Sequence, residues 1–174
     1  MYRKKYLVII LNNGLNQKMN NNKLLIINGP GLSDLSNLNE MGYGHLTLDM
    51  VRKKCAETCE IFGIKMDFRQ TDDETELSRF LIEGIEDFDA LIINPVGYSH
   101  APSIDFAIYS SAIKMITQQN KPVIEVHISN IFQQDVENTK PIQVPGGEVG
   151  FVSGLGIHSY DLAIRAVNKK LSKN

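Results

Sequence analysis

Val123-Ile124-Glu125-Val126-His127, running on into Ile128-Ser129-Asn130, is a short, nearly continuous apolar run that ends in polar residues. A strand with one face in water alternates apolar and polar residues. A run without that alternation fits a strand covered on both faces, as in a parallel sheet. Ala90-Leu91-Ile92-Ile93-Asn94 repeats the design before Pro95, and Leu24-Leu25-Ile26-Ile27 repeats it before Asn28-Gly29-Pro30-Gly31. Ile64 to Phe68 and Val149 to Ser153 supply two further strands of the same kind.

Between these runs the apolar period changes from continuous to helical. Leu46, Met50, Val51, Cys55, Ala56, Cys59 and Phe62 recur at helical spacing and stop at Gly63, a C-terminal cap. A second helix is predicted from about Asp73 to Ile85, capped by Asp72 or Asp73, with Leu77, Phe80, Leu81 and Gly84 on its inner face. A third opens at Ser103 and carries Phe106, Ala107, Ser110, Ile113 and Met115, and Tyr160 to Leu171 closes the chain. Strands alternating with helices give right-handed βαβ units, a parallel sheet and helices on both faces. The expected fold class is therefore α/β, a flavodoxin-like three-layer sandwich with a five-stranded parallel sheet.

Composition sets the outer limits. The 174 residues suit one domain, and 43% apolar with 22% charged residues is ordinary for a globular chain. Eighteen Lys and Arg face 20 Asp and Glu, a formal charge of -2, so neither nucleic acid nor membrane is expected as a partner. Cys55 and Cys59 lack a second Cys or His pair at metal-ligand spacing, and reduced thiols in a cytoplasmic protein are expected, with no metal. Residues 1–22 read as an extension. Arg3, Lys4 and Lys5 precede only six apolar residues, too few for a secretory signal, and Asn12 to Asn22 is Asn-rich. Residues 23–174 then form the single domain.

In a sheet of this kind ligands bind beyond the carboxyl ends of the strands. Those ends are Asn28-Gly29-Pro30, Asn94-Pro95 through Tyr98-Ser99-His100, and His127-Ile128-Ser129-Asn130. Glu125 lies two residues before His127, so both side chains share one face of the strand. A carboxylate there would fix the imidazole tautomer and prepare a general acid, although a structural histidine would satisfy the same pattern. The amides of Ile128 and Ser129 form a turn able to grip a carboxylate. Tyr43 stands between Gly42 and Gly44 in the long first loop, where a mobile lid would deliver its phenol to a site and a surface turn would use the same residues. The 20-residue loop from Ser129 to Glu148 is longer than a connector needs and points to function or to subunit contact.

The same segments resemble type II 3-dehydroquinate dehydratase over about Lys23 to Leu171. The likeness rests on Ile27-Asn28-Gly29-Pro30 with Tyr43-Gly44, Asp67-Phe68-Arg69-Gln70, Ile93-Asn94-Pro95 through Tyr98-Ser99-His100, Glu125 through Asn130, and Gly154-Leu155-Gly156 with Tyr160. The resemblance implies a hydro-lyase that removes water from 3-dehydroquinate by anti elimination in the shikimate pathway. It implies Tyr43 as base and His127 as acid. Asn94, His100 and the amides of Ile128 and Ser129 would bind a small cyclic carboxylate, with Asn28, Glu125 and Arg69 in support. No cofactor is implied, and a homo-oligomer, a dodecamer built from trimers, is expected.

Four positions depart from the family pattern. Leu38 stands where the family carries a lid arginine, so Leu38→Arg is expected to return a cation to Tyr43, with Arg69 as the one nearby substitute. Gln134 and Asn138 fall near two arginines of the family's later loop, and Ala107 falls at a neighbouring subunit's aspartate, two residues from Asp105. The competing readings are a diverged paralogue using the same acid and base on another cyclic carboxylate, and a non-catalytic oligomer that keeps the pocket.

Overall fold

A computed structural model describes residues 21–95, 106–133 and 147–172. In chain order these are β1 (Lys23–Asn28), α1 (Asn37–Glu40), α2 (Leu48–Phe62), β2 (Lys65–Gln70), α3 (Glu74–Asp87), β3 (Ala90–Asn94), α4 (Phe106–Gln118), β4 (Val123–His127), a 3-10 turn at Ile131–Gln133, β5 (Val149–Ser153) and α5 (His158–Leu171). All strand pairs are parallel, in the order β2-β1-β3-β4-β5. The fold is the expected α/β sandwich.

Strand alternation sorts the core into two layers. Leu24, Ile26, Ile92, Ile124 and Val126 meet Val51, Cys55 and Cys59 of α2 and Ala163, Ile164 and Val167 of α5 on one face. Leu25, Ile27, Leu91, Ile93 and Val123 meet Leu77 and Leu81 of α3 and Ile113 and Ile116 of α4 on the other. Most of these are fully buried, at about 1.5–3 kcal/mol for each large aliphatic side chain. Helix ends are set locally. Thr47 Oγ1 accepts from the Met50 amide at the start of α2, and Gly63 closes that helix in the left-handed conformation. Asp73 caps α3 by accepting from the Glu76 amide at 2.8 Å. Its neighbour Asp72 instead accepts from the Gly31 amide, tying the exit of β1 to that of β2.

Several boundaries and faces differ from expectation. β2 continues to Gln70 because its backbone stays in register with Asn28, although its apolar run stops at Phe68. α5 begins at His158, two residues early. Met50, Met115 and Leu162 are 44%, 51% and 44% exposed, so the helical stripes are narrower than the apolar residues suggested. Residues 1–20 of the N-terminal extension and Ser103 lie outside the described residues. No helix of the described residues is long and apolar enough to cross a membrane.

Cys55 and Cys59 are free and buried between α2 and α5. Burial pushes the Cys59 thiol up to about 12, and burial, followed by Cys59 and Asp161, raises Cys55. The folded chain thus keeps protons that the unfolded chain releases near pH 8.5, so stability falls as pH rises from there toward 12. Denaturant midpoints should decline across that window, and both thiols should resist alkylation at pH 8 until the protein is unfolded. Rapid alkylation of the folded protein at pH 8 would contradict this packing.

Candidate active site

The carboxyl end of β4 carries the most tightly defined pair of groups. Glu125 and His127 project from the same face of the strand, both buried, with His127 Nε2 2.6 Å from Glu125 Oε1. Phe151 of β5 lies beside the imidazole at 5.8 Å between ring centres, and Phe132 lies the same distance beyond it. The carboxylate fixes which ring nitrogen faces the protein, so the other is the one able to serve a ligand. The backbone that follows is clamped from β5. The carbonyls of His127, Ile128 and Ser129 accept from Gly154 N, Gly156 N and Ser153 Oγ at 3.3, 3.0 and 3.0 Å. Three successive carbonyls are therefore held on one side of the Ile128-Ser129 turn. Ser153 escaped the sequence reading, and its only signal was its place at the end of β5.

The ends of β1 and β3 form a second, wholly buried polar group. Tyr160 of α5 donates its hydroxyl to Asn28 Oδ1 at 2.5 Å and accepts from Asn94 Nδ2 at 3.0 Å. Asn28 Nδ2 donates in turn to the Arg69 carbonyl at 3.0 Å. Gly29 follows Asn28 and donates its amide to the Asn94 carbonyl. A Cβ at position 29 would stand 2.0 Å from the Pro95 carbonyl oxygen, so only glycine lets the two strand ends approach this closely.

The first loop is docked on the core in this structure. Leu32, Leu35, Leu38 and Leu46 are all buried in the layer beneath α2 and α5, and Met41 and Tyr43 pack against the same cluster. Gly42 and Gly44, both at positive φ, let the chain turn sharply on either side of Tyr43. The Tyr43 amide is held by the Leu38 carbonyl at 3.0 Å. Its phenol oxygen accepts from the Asn130 amide at 2.9 Å, which places it on the turn that follows His127. Leu38 is only 6% exposed, so the expectation for Leu38→Arg reverses. A guanidinium forced into this core is costly enough to undock the loop instead of serving Tyr43. We expect Leu38→Arg to lower the melting temperature by more than 5 °C and to release Tyr43 to proteolysis of the loop, measured by calorimetry and limited digestion.

Arg69 does not reach Tyr43. Phe68 turns to the α2 layer, so Arg69 turns to the opposite face, where it pairs with Asp67 at 2.8 Å and with Glu83 and lies over the rings of Phe80 and Phe88. Its backbone carbonyl, not its side chain, supports the site through Asn28. His100, Asp105, Gln134 and Asn138 lie outside the described residues, as does the side chain of Ala107. Cavities of about 590 and 370 Å³ open beside Asp73 and Arg79 and beside Asp67 and Phe88, and neither is lined by Tyr43, Asn94 or His127. No group of three potential metal ligands is gathered among the described residues.

Comparison with known proteins places this arrangement in a family. Residues 22–168 match the family model described as dehydroquinase class II. A 3-dehydroquinate dehydratase of Clostridium botulinum (strain Loch Maree / Type A3) is 32% identical over 152 residues, covering 87% of this chain and 97% of the relative. One from Phenylobacterium zucineum (strain HLK1) is 36% identical over 143 residues, covering 82% and 93%. Among solved structures, type II dehydroquinase from Propionibacterium acnes superposes with a TM-score of 0.71 at 29% identity, covering 85% of this chain and 97% of that one. A 3-dehydroquinate dehydratase-like protein from Bifidobacterium longum gives 0.62 at 29% identity, covering 86% and 98%.

Proposed function

The chain belongs to the class II dehydroquinase family, and we propose that it is a hydro-lyase acting on 3-dehydroquinate by anti elimination to give 3-dehydroshikimate. The observation that carries this reading is the meeting of two groups at one turn: the Tyr43 phenol on the Asn130 amide and His127 on Glu125, three residues earlier. Tyr43, as phenolate, takes the proton beside the ketone, and the electron pair passes into an enolate. His127, protonated, then gives its proton to the departing hydroxyl, which leaves as water while the double bond forms. The Ile128 and Ser129 amides hold the carboxylate, Asn94 and His100 meet the ring's oxygen groups, and Glu125 orients the imidazole. The ketone acidifies the proton removed, so this chemistry calls on no cofactor.

Purified protein mixed with 3-dehydroquinate should develop the absorbance of the conjugated enone. A flat trace would overturn the reading, and a ligand-dependent rise in melting temperature without turnover would mark a binding protein instead. The buried Leu38 favours one second reading, the same elimination on a different cyclic carboxylate, which a flat trace with 3-dehydroquinate and turnover of another cyclic keto acid would establish. In our reading the enzyme works in the cytoplasm as a homo-oligomer, a dodecamer built from trimers in which neighbouring subunits complete the site. A monomer in light scattering at micromolar concentration would refute that assembly.

A further inference from the structure

Ser153 ends β5 in register with His127, so the two side chains stand on the same face of neighbouring strands. Its hydroxyl lies between two backbone groups of the turn after His127, 3.0 Å from the Ser129 carbonyl and 3.4 Å from the Ile131 amide. A carbonyl only accepts and an amide N–H only donates, so the polarity is fixed: the one hydroxyl hydrogen goes to Ser129, and the oxygen receives Ile131. A γ-turn centred on Asn130 would join that carbonyl and that amide directly. Here the hydroxyl stands between them and holds each in place.

The Ser129 carbonyl belongs to the same peptide unit as the Asn130 amide. That unit is planar and trans, with its C=O and N–H pointing in opposite directions. A hydroxyl that holds the oxygen therefore aims the hydrogen away from Ser153, and there it meets the Tyr43 phenol oxygen at 2.9 Å. The two preceding peptides are held differently. The carbonyls of His127 and Ile128 accept from the backbone amides of Gly154 and Gly156, bonds in which the Ser153 side chain takes no part. Of these three peptides, the one that seats the phenol is the one held by a side chain.

We infer that Ser153 is a positioning residue: by fixing the Ser129-Asn130 peptide it sets where the Tyr43 phenol sits, while the amides of Ile128 and Ser129, carried by the two preceding peptides, keep their places without it. The catalytic consequence rests on the dehydratase reading, in which Tyr43 is the base, whereas the placement of the phenol does not. A residue on β5 thus governs the group delivered by the first loop, without touching it.

Ser153→Ala removes the hydroxyl alone and should lower kcat for 3-dehydroquinate about 3- to 15-fold, the range of one lost hydrogen bond, with KM changed less than about 2-fold. Ser153→Thr keeps the hydroxyl on a β-branched side chain suited to a strand and should restore most of that loss. Unchanged kcat in Ser153→Ala, an equal change in kcat and KM, or no restoration by threonine would overturn the proposal. Hydrogen exchange resolved to single amides reads the placement without turnover. The Asn130 amide should exchange at least about 10-fold faster in Ser153→Ala than in the wild type, while the Gly156 amide, bonded to Ile128, keeps its rate within about 2-fold. Unchanged exchange at Asn130, or equal acceleration at both amides, would overturn the positioning role. A wild type that leaves 3-dehydroquinate untouched, with selective acceleration at Asn130 in Ser153→Ala, refutes the substrate and supports the placement. Should Ser153→Ala fail to fold, Ser153→Cys carries the test. A thiol is a weaker donor of similar shape, so the same fall in kcat and the same selective acceleration at Asn130 are expected there, and wild-type values of both would refute the role.

Discussion

His127→Ala should reduce kcat for 3-dehydroquinate by about 10²- to 10⁴-fold while changing KM by no more than a few-fold. The loss in kcat follows from removing the one imidazole at the carboxyl end of β4, where it is held by Glu125 at 2.6 Å and flanked by Phe151. KM should be spared because the turn proposed to hold the carboxylate is built from backbone. Its carbonyls at 127, 128 and 129 are clamped by Gly154, Gly156 and Ser153, none of which depends on the imidazole. The variant will also lose stability, since Glu125 is buried and gives up a close partner, so turnover must be measured well below its melting temperature. Steady-state kinetics separate the outcomes. Parallel losses in kcat and in affinity for a carboxylate ligand would make His127 a structural residue and remove it from the proton transfer.

The sheet was legible because burial on both faces leaves a continuous apolar run. β3 and β4, buried throughout, begin and end where those runs do. β2 is different: like β5 it is a partly exposed edge strand, and its last residues, Arg69 and Gln70, are held by backbone register with β1, which leaves no trace in hydrophobicity. The Glu125 and His127 pair was legible for a simple geometric reason, the two-residue period of a strand. The same period would have placed Arg69 correctly, because Phe68 is apolar and its neighbour must face the other way. The docked lid left a weaker signal. Leu32, Leu35 and Leu38 recur every three residues between two glycine-flanked turns, and α1, only four residues long, is too short to register as a helical pattern. What sequence could not supply is the junction of Asn28, Asn94 and Tyr160, whose members are 66 or more positions apart and are joined by single hydrogen bonds instead of by a pattern.

Tyr43→Phe should abolish most turnover, by about 10²- to 10⁴-fold in kcat, yet leave the fold nearly intact. The two effects separate because the tyrosine ring and hydroxyl do different work. The ring packs with Met41 on the leucine cluster of the docked loop, and its Cδ1 sits beside Gly156, contacts that phenylalanine reproduces. Only the hydrogen bond from the Asn130 amide is lost, a change of about 1 kcal/mol in stability. A mobile lid would show a different pattern: its deletion of hydroxyl would alter loop closure and hence KM along with kcat. In the docked loop the phenol is already seated on the turn beside His127, so KM should hold and kcat alone should fall. The measurement is a pair of kinetic constants beside a melting curve. A variant with full activity would exclude Tyr43 as the base and move the proton abstraction to a group outside the Gly42-Tyr43-Gly44 turn. A variant whose melting temperature collapsed would show instead that the hydroxyl holds the loop down.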